Sequence, residues 1–193
     1  GTHDLSFARK MLDALSNLSE GDSCLVPTFN KAIDDRLPES QWNRVNGKVD
    51  IILFEGWCVG IPEELDESLL EPINNLERTE DELKVWRTFA NEKLKTEYKQ
   101  FNEKIEHLIV LQAPSFDCVY GWRQLQENKL KQATAERDQV RVQSPEQIKR
   151  FVSHYERLTR HALKVMPSKA NWLLKLNDHH EIISLGYQVH GNK

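Results

Sequence analysis

The sequence predicts an α/β fold built on a parallel sheet, and three segments, taken in chain order, support that prediction. Residues 49–54 form an apolar run interrupted only by Asp50, as is typical of a strand buried on both faces. A long amphipathic helix and a second apolar run, residues 107–112, follow it. Because strand, helix and strand in this order make a βαβ unit, the two strands are expected to lie parallel with a right-handed crossover.

Length and composition bound the possible classes of protein. The 193 residues predict a single domain spanning residues 1–193, and a net charge of -4 gives no support for a nucleic-acid or anionic-membrane surface. Three widely spaced cysteines argue against a disulfide framework or a thiolate zinc site and for a reducing compartment. No apolar run approaches the roughly 20 residues of a membrane span. We therefore predict a cytoplasmic location with neither nucleic-acid nor membrane partners.

The first quarter of the chain predicts a helix followed by short strands. Apolar residues recur at helical spacing over residues 5–18, with Asp4 at the N-cap position and Gly21 as a closing C′ residue. Residues 23–27 can form a short strand, and a polar loop with charges of both signs follows over residues 28–38. This loop could return over the sheet edge toward the carboxyl end of the strand that precedes Glu55.

The middle of the chain predicts mostly helix. Pro62 is expected to start a helix that runs to about residue 70, with acidic residues in its first turn. Thr79 and Glu82 have capping-box spacing, and an apolar stripe then continues over residues 83–105. Such a stripe is typical of a long helix that packs on the core.

The last third predicts a helix, a weakly apolar segment, another helix and two strands. Residues 116–137 are helical by pattern, and residues 123–143 contain a segment that predicts a mobile lid or an exposed helix end. Ser144 and Pro145 then begin the next helix. Residues 172–176 and 181–185 are expected to be strands joined by a turn over residues 177–180.

Five stretches, taken in order, make the sequence recognisable. They are Gly-Thr-His-Asp at residues 1–4, residues 26–36 around Val-Pro-Thr-Phe-Asn-Lys-Ala, Phe-Glu-Gly-Trp-Cys-Val-Gly at 54–60, Tyr-Gly-Trp-Arg-Gln-Leu-Gln-Glu at 120–127, and Phe-Val-Ser-His-Tyr-Glu-Arg at 151–157. Together they resemble the D-glycerate 3-kinase-like P-loop kinases, which belong with uridine kinase, phosphoribulokinase and bacterial pantothenate kinase. The resemblance covers nearly the whole chain. It implies a three-layer P-loop NTPase-like parallel sheet with helices on both faces, ATP and Mg²⁺ as cofactors, and phosphoryl transfer to a hydroxyl of a small acceptor, D-glycerate first.

One departure from this family is as informative as the matches. Such kinases carry a Gly-x-x-x-x-Gly-Lys-Ser/Thr loop whose amides cradle the phosphates, and the 193 residues contain no such motif. We expect the first strand and its phosphate-binding loop to precede Gly1, so that this chain is the carboxyl-terminal two-thirds of a kinase. The missing segment of the same protein is then its expected partner, and the chain alone should bind nucleotide poorly.

The resemblance implies roles for residues at the acceptor side of the site. Asp4 would accept the hydroxyl proton, although an N-cap role alone is the alternative. Glu55 would hold a magnesium-bound water or the acceptor hydroxyl, with a solvated carboxylate as the alternative. His3 would touch the acceptor, or else be a solvated turn residue. Lys31 and Arg36 are available to bind the carboxylate of a hydroxy acid, or are ordinary surface cations.

Residues that would bind the nucleotide are predicted among the arginines and in one turn. Arg123 and Arg137 flank the predicted lid and could close on the phosphates, and Arg157 is a weaker choice because charges on helix faces are usually solvated. Asn177 and Asp178 could border the adenine, or form an ordinary turn. Two other hypotheses stay open: a kinase of a different acceptor, such as a nucleoside or a pantothenate-like compound, and a non-catalytic α/β binding or interaction module.

Overall fold

The computed structural model describes residues 3–30, 33, 35–133 and 143–189. It divides the chain into two compact units, Thr2–Trp57 and Cys58–Lys193. Both units combine helices with small sheets, so the chain is mixed α/β. The prediction of a single domain over residues 1–193 stays a prediction.

The described residues of the first unit form one α-helix, a short 3₁₀ turn (Glu39–Gln41) and two antiparallel strand pairs. Helix α1, Leu5–Ser16, begins as predicted with Asp4 at its N-cap, where the carboxylate accepts a hydrogen bond from the backbone N–H of Phe7 at 3.0 Å. Strand β1 (Ser23–Val26) pairs antiparallel with β4 (Asn43–Asn46), and β2 (Phe29–Asn30) pairs antiparallel with β3 (Asp35–Arg36). The C-cap of α1 is Asn17, so the prediction that Gly21 is the C′ residue is wrong. Gly21 instead takes a left-handed φ of 90° in the following turn.

The apolar run before Glu55 is not a buried strand in this unit. Residues 51–56 have no strand geometry, and the side chains of Ile51 and Leu53 are 85% and 80% exposed. A strand buried on both faces needs hydrogen-bonding neighbours and covering layers. No described strand pairs with this run, so the predicted βαβ unit that begins at residue 49 is absent from the described residues.

In the described part of the second unit, the helices predicted over residues 83–105, over residues 116–137 and after Ser144 form with shifted bounds, and a short helix that was not predicted precedes them. The helical elements are α2 (Asn75–Glu80), α3 (Val85–Lys93), a π-helical turn (Leu94–Tyr98), α4 (Lys99–Asn102), α5 (Asp117–Ala133), α6 (Pro145–Ser153) and α7 (Glu156–Val165). The predicted long helix over residues 83–105 is confirmed as the continuous run from α3 through the π turn to α4. Ser144 caps α6 in a reciprocal capping box with Gln147, as the sequence indicates.

Two predictions for this unit are wrong because side chains hold the backbone in other conformations. The segment after Pro62 is not an α-helix, since the Asn91 side chain accepts from Glu64 N–H at 2.8 Å and donates to its carbonyl at 3.0 Å. Only a short 3₁₀ turn, Asp66–Leu69, forms there. Thr79 lies inside α2 rather than at a cap. At the start of α3, the backbone N–H groups of Trp86 and Arg87 instead donate hydrogen bonds to the Asp81 carboxylate, at 2.8 and 3.1 Å.

A three-stranded sheet lies in the second unit. Strand β5 (Ile109–Gln112) pairs parallel with β6 (Trp172–Leu176), and β7 (Ile182–Tyr187) pairs antiparallel on the other side of β6. The predicted late hairpin is therefore confirmed, while the parallel pair joins different strands from those expected. Across the described ranges, no helix combines the length and apolar character that a membrane crossing requires.

Close packing near the start of the second unit explains why residue 60 is a glycine. Cys58, Ile61 and Met166 form a buried cluster against which Leu108 packs. Gly60 has a φ of 79°, and a Cβ added there would lie 3.1 Å from the side chains of Leu108 and Met166. Both the backbone conformation and the space therefore favour glycine at residue 60.

Candidate functional site

The predicted base and a predicted acceptor-binding cation lie side by side in the first unit. Arg36 Nη2 is 3.4 Å from Asp4 Oδ2, and both side chains are about half exposed, 44% for Arg36 and 55% for Asp4. The other oxygen of the carboxylate, Oδ1, accepts the N–H of Phe7 and thereby caps α1. Asp4 thus has one oxygen committed to the helix and one that faces a cation at the surface.

Aromatic side chains support this ion pair. The Arg36 guanidinium lies over the ring of Phe7, 4.8 Å from its centroid, in cation–π geometry. The Phe7 ring meets Trp42 edge-on at 5.8 Å, and the Trp42 indole N–H donates to the carbonyl of Leu37 at 2.7 Å. Strand β3 and helix α1 therefore hold the two charged groups together through Phe7. Neither Phe7 nor Trp42 was among the predicted site residues, since a lone aromatic residue in an apolar stripe carries no signal beyond core packing.

The other predicted residues of the acceptor side are less defined. Glu55 is exposed, at the end of the first unit. His3 is exposed immediately before Asp4. Lys31 lies outside the described residues. The structure therefore brings together Asp4 and Arg36 of the predicted set, and the roles of the remaining residues stay predictions.

Arg123 on α5 is held within a cluster of polar side chains. Its guanidinium pairs with Glu127, donates to Gln126 Oε1 at 2.8 Å, and lies 4.8 Å from the centroid of the Phe151 ring. Glu127 is buried and also accepts the backbone N–H of Gln143 at 3.2 Å. Glu127 thus links α5 to the chain just before α6. It ends the family-like stretch at residues 120–127 but was not among the predicted site residues. Arg137 lies outside the described residues, as do residues 134–142 of the predicted lid, whereas residues 123–133 of the predicted lid lie in helix α5.

Arg157, predicted as a weaker phosphate-binding residue, is occupied inside the second unit. Its side chain is 9% exposed and pairs with Glu77 through two nitrogens, at 2.7 and 2.6 Å. The remaining donors bond the carbonyls of Ser68 and Glu71 at 2.9 and 2.8 Å and approach Glu64 at 3.5 Å. Because every N–H direction of the guanidinium has a protein partner, this geometry assigns Arg157 a structural role and leaves no donor for a phosphate.

Burial also changes the acidity of one carboxylate in this network. Desolvation is the largest influence on Glu64 and raises its pKa, although the positive charge of Arg157 opposes part of that effect. Glu64 therefore holds its proton to higher pH than an exposed glutamate. We refer to Arg157, Glu64 and Glu77 below as the buried network.

Asn177 and Asp178, predicted to border the adenine, form the turn between β6 and β7. The Asn177 side-chain oxygen accepts the backbone N–H groups of His179 and Glu181 at 3.0 and 2.9 Å, as in Asx-type turns. The Asp178 carbonyl accepts the indole N–H of Trp122 at 2.6 Å. These contacts match the alternative of an ordinary turn, and a contact with adenine stays a prediction.

No group of three or more His, Cys, Asp or Glu side chains among the described residues lies close enough to hold an ion.

Comparison with curated proteins identifies the class to which this chain is related: kinases. The uncharacterized kinase mug58 of Schizosaccharomyces pombe is 32% identical over 160 residues, which are 80% of this chain and 54% of the relative. The chloroplastic D-glycerate 3-kinase of Arabidopsis thaliana is 31% identical over 160 residues, 80% of this chain and 32% of the relative. The probable ATP-dependent kinase TDA10 of Saccharomyces cerevisiae is 29% identical over 196 residues, 96% of this chain and 58% of the relative.

Solved structures agree at the level of the fold. The D-glycerate 3-kinase of Cryptococcus neoformans superposes with a TM-score of 0.69 at 18% identity, covering 97% of this chain and 68% of its own. The YGR205w protein gives a TM-score of 0.71 at 23% identity, covering 98% of this chain and 66% of its own. No protein-family model matches the chain.

These findings confirm the resemblance to D-glycerate 3-kinase-like kinases: the chain is homologous to D-glycerate 3-kinase and to related kinases. It spans about half the length of mug58 and a third of the Arabidopsis enzyme. The predicted cytoplasmic location and the predicted lack of nucleic-acid and membrane partners stay predictions.

Proposed function

We propose that the protein containing this chain transfers a phosphoryl group from ATP to a hydroxyl of a small acceptor, with D-glycerate as the first choice. The observation that carries this proposal is the pairing of Asp4 and Arg36 at 3.4 Å on the surface of the first unit. A hydroxy acid needs a base for its hydroxyl and a cation for its carboxylate within a few ångströms of each other. The homologous kinases support the same class of reaction.

In this proposal each side chain has one task. Asp4 Oδ2 accepts the proton of the attacking hydroxyl, while Oδ1 remains on the N–H of Phe7 and fixes the carboxylate. The forked guanidinium of Arg36 binds the acceptor carboxylate. His3 and Lys31 would contact the acceptor, and a role for Arg123 and Arg137 in binding the nucleotide phosphates stays a prediction.

The cofactors of the proposal are ATP and Mg²⁺. Magnesium in kinase sites is usually held by one or two carboxylates together with phosphates and water, so the single exposed carboxylate of Glu55 fits such a site. The ion would neutralise charge on the phosphates when bound. We infer that the nucleotide phosphates lie in a P-loop contributed by residues outside this 193-residue chain, as the greater length of the relatives favours.

Asp4→Asn in the full-length protein tests the proposed base. Asparagine is as good an N-cap as aspartate, so helix α1 is kept while the basic oxygen is lost. We expect kcat with D-glycerate to fall by about 10²- to 10⁴-fold, the usual contribution of a positioned general base, with little change in thermal stability. The measurement is ADP release with magnesium and D-glycerate.

The same assay separates the alternatives. An unchanged kcat in Asp4→Asn would show that Asp4 is not the base and only caps helix α1. Turnover with uridine or pantothenate but not D-glycerate would keep the kinase and change the acceptor. Absence of turnover with all three would contradict the acceptor class and favour a non-catalytic binding module.

A further inference from the structure

We propose that Arg36 exchanges partners when an acceptor binds: the acceptor's carboxylate replaces Asp4 Oδ2 on the guanidinium and thereby frees that oxygen to act as the base. The inference rests on the proposed function, and it adds a selection step. An anionic acceptor releases the base, whereas a neutral hydroxyl compound leaves it paired with Arg36. The negative charge of the acceptor, rather than its shape alone, would then determine whether the site is competent.

The geometry of the ion pair suits an exchange. Asp4 and Arg36 approach at 3.4 Å, through one oxygen and one nitrogen, and both are about half exposed. Exposed pairs of this kind are weak because water screens the charges and because ordering two long side chains costs entropy. A carboxylate that accepts from two N–H groups on one edge of the guanidinium makes two parallel hydrogen bonds and is the stronger partner.

Phe7 holds both members of the pair independently, so neither is lost when they separate. Its backbone N–H donates to Asp4 Oδ1 at 3.0 Å, which keeps the carboxylate at the start of α1 after Oδ2 is released. Its ring lies 4.8 Å from the Arg36 guanidinium and meets Trp42 edge-on at 5.8 Å. We therefore assign Phe7 as a positioning residue.

The chemical step that follows is balanced within the proposed reaction. The acceptor hydroxyl oxygen forms a bond to the γ-phosphorus of ATP, and the bond from that phosphorus to the β–γ bridging oxygen breaks with its electron pair left on ADP. The hydroxyl proton moves to Asp4 Oδ2, the oxygen that Arg36 has released.

The exchange predicts a change in the affinity for D-glycerate, which would not be expected if Asp4 acted only as the base. If Asp4 competes with the acceptor for Arg36, then Asp4→Asn removes the competitor, and D-glycerate should bind about three- to tenfold more tightly even as turnover falls. The control is Asp35→Asn, which removes the same charge from the residue next to Arg36. The Asp35 carboxylate accepts the Arg36 backbone N–H at 2.7 Å, whereas the Arg36 guanidinium pairs with Asp4 Oδ2.

Isothermal titration calorimetry of the full-length protein with D-glycerate, without nucleotide, measures this effect. Tighter binding in Asp4→Asn and not in Asp35→Asn supports the exchange. Equally tighter binding in both variants would mean that the lost negative charge alone explains the effect, and it would overturn the exchange. Unchanged, weaker or undetectable binding in Asp4→Asn would overturn it as well. Because titration needs no turnover, loss of the proposed kinase activity and failure of the exchange are read from different experiments.

Two substitutions of Phe7 test its positioning role. Phe7→Leu keeps the backbone N–H and removes the ring, so we expect KM for D-glycerate to rise several-fold with kcat within about twofold of wild type. Phe7→Tyr keeps a ring and should restore KM. A fall in kcat with unchanged KM, or failure of Tyr to restore KM, would overturn the assignment.

Discussion

Two arginine–carboxylate sites in this chain differ mainly in how far they are removed from water. The Asp4–Arg36 pair of the first unit makes one contact between half-exposed side chains. The buried network of the second unit surrounds Arg157 with two carboxylates and two backbone carbonyls. Sequence reasoning placed both arginines in one class, as cations that could bind an anionic ligand. The two arginines differ in their surroundings, since Arg36 is half exposed and Arg157 is buried.

The difference in burial decides what each site can do. A buried guanidinium has left its water, so its partners must supply every bond, and exchanging one of them would leave a charge unpaired. An exposed pair loses little when it opens, because water takes the place of the partner. The buried network is therefore suited to holding segments together, and the exposed pair is suited to changing partners.

The largest expected effect concerns the buried network. Arg157→Gln should lower the free energy of unfolding by about 3–5 kcal/mol, because Glu64 and Glu77 would then face each other with no cation between them. The carbonyls of Ser68 and Glu71 would lose their donors as well. Urea unfolding followed by circular dichroism measures the change.

A matched control lies one turn further along α7. Arg160 is half exposed and pairs with Glu156 at 2.8 Å, so Arg160→Gln should cost less than about 1 kcal/mol. Equal losses in the two variants would show that burial is not what separates these sites. Intact stability together with impaired ATP binding in Arg157→Gln would return Arg157 to a role in binding phosphate.

A second expected effect is a dependence of stability on pH that originates at Glu64. Burial raises the pKa of Glu64 in the folded protein. From its ordinary value of about 4.3 up to that higher folded pKa, the unfolded chain has released the proton while the folded chain still holds it. Folding is therefore disfavoured progressively as the pH rises through this window.

Glu64→Gln removes this proton linkage. Relative to the variant, the wild-type protein should lose stability as the pH rises from about 4.3 through the folded pKa of Glu64, and the difference should then become constant. Urea unfolding of both proteins at a series of pH values gives the difference directly. A difference that does not change with pH, or that grows in favour of wild type, would contradict the raised pKa.

Local sequence signals predicted the parts of the fold that local chemistry controls. Asp4 before an apolar helical repeat, and Ser144 with Pro145 before another, mark helix starts whose caps form within four residues. The hairpin of β6 and β7 is likewise set by its own turn. In such cases the residues that satisfy the backbone are neighbours in the chain, so their pattern is visible in the sequence.

The parts that sequence reasoning missed depend on distant residues. Arg157 meets Glu77 and Glu64 across 80 and 93 positions, and Asn91 holds the backbone of Glu64 across 27, which no periodicity reveals. The apolar residues before Glu55 predicted burial, but burial also requires elements to cover them. Of the candidate site, the sequence identified Asp4 and Arg36 individually, whereas their pairing and the role of Phe7 required the register of β2 with β3 and the position of α1.

The smallest expected effect on stability is that of replacing Arg36 in the exposed pair. Arg36→Gln should change the free energy of unfolding by less than about 1 kcal/mol, because the pair with Asp4 is half exposed and the cap on α1 does not depend on it. The same variant should weaken D-glycerate binding by about tenfold or more, since a forked charge-assisted contact is lost. Urea unfolding and calorimetric titration of one preparation give both values. A large loss of stability would place Arg36 with Arg157 as a structural residue, whereas a stable protein with weakened binding separates the two arginines by function as well as by burial.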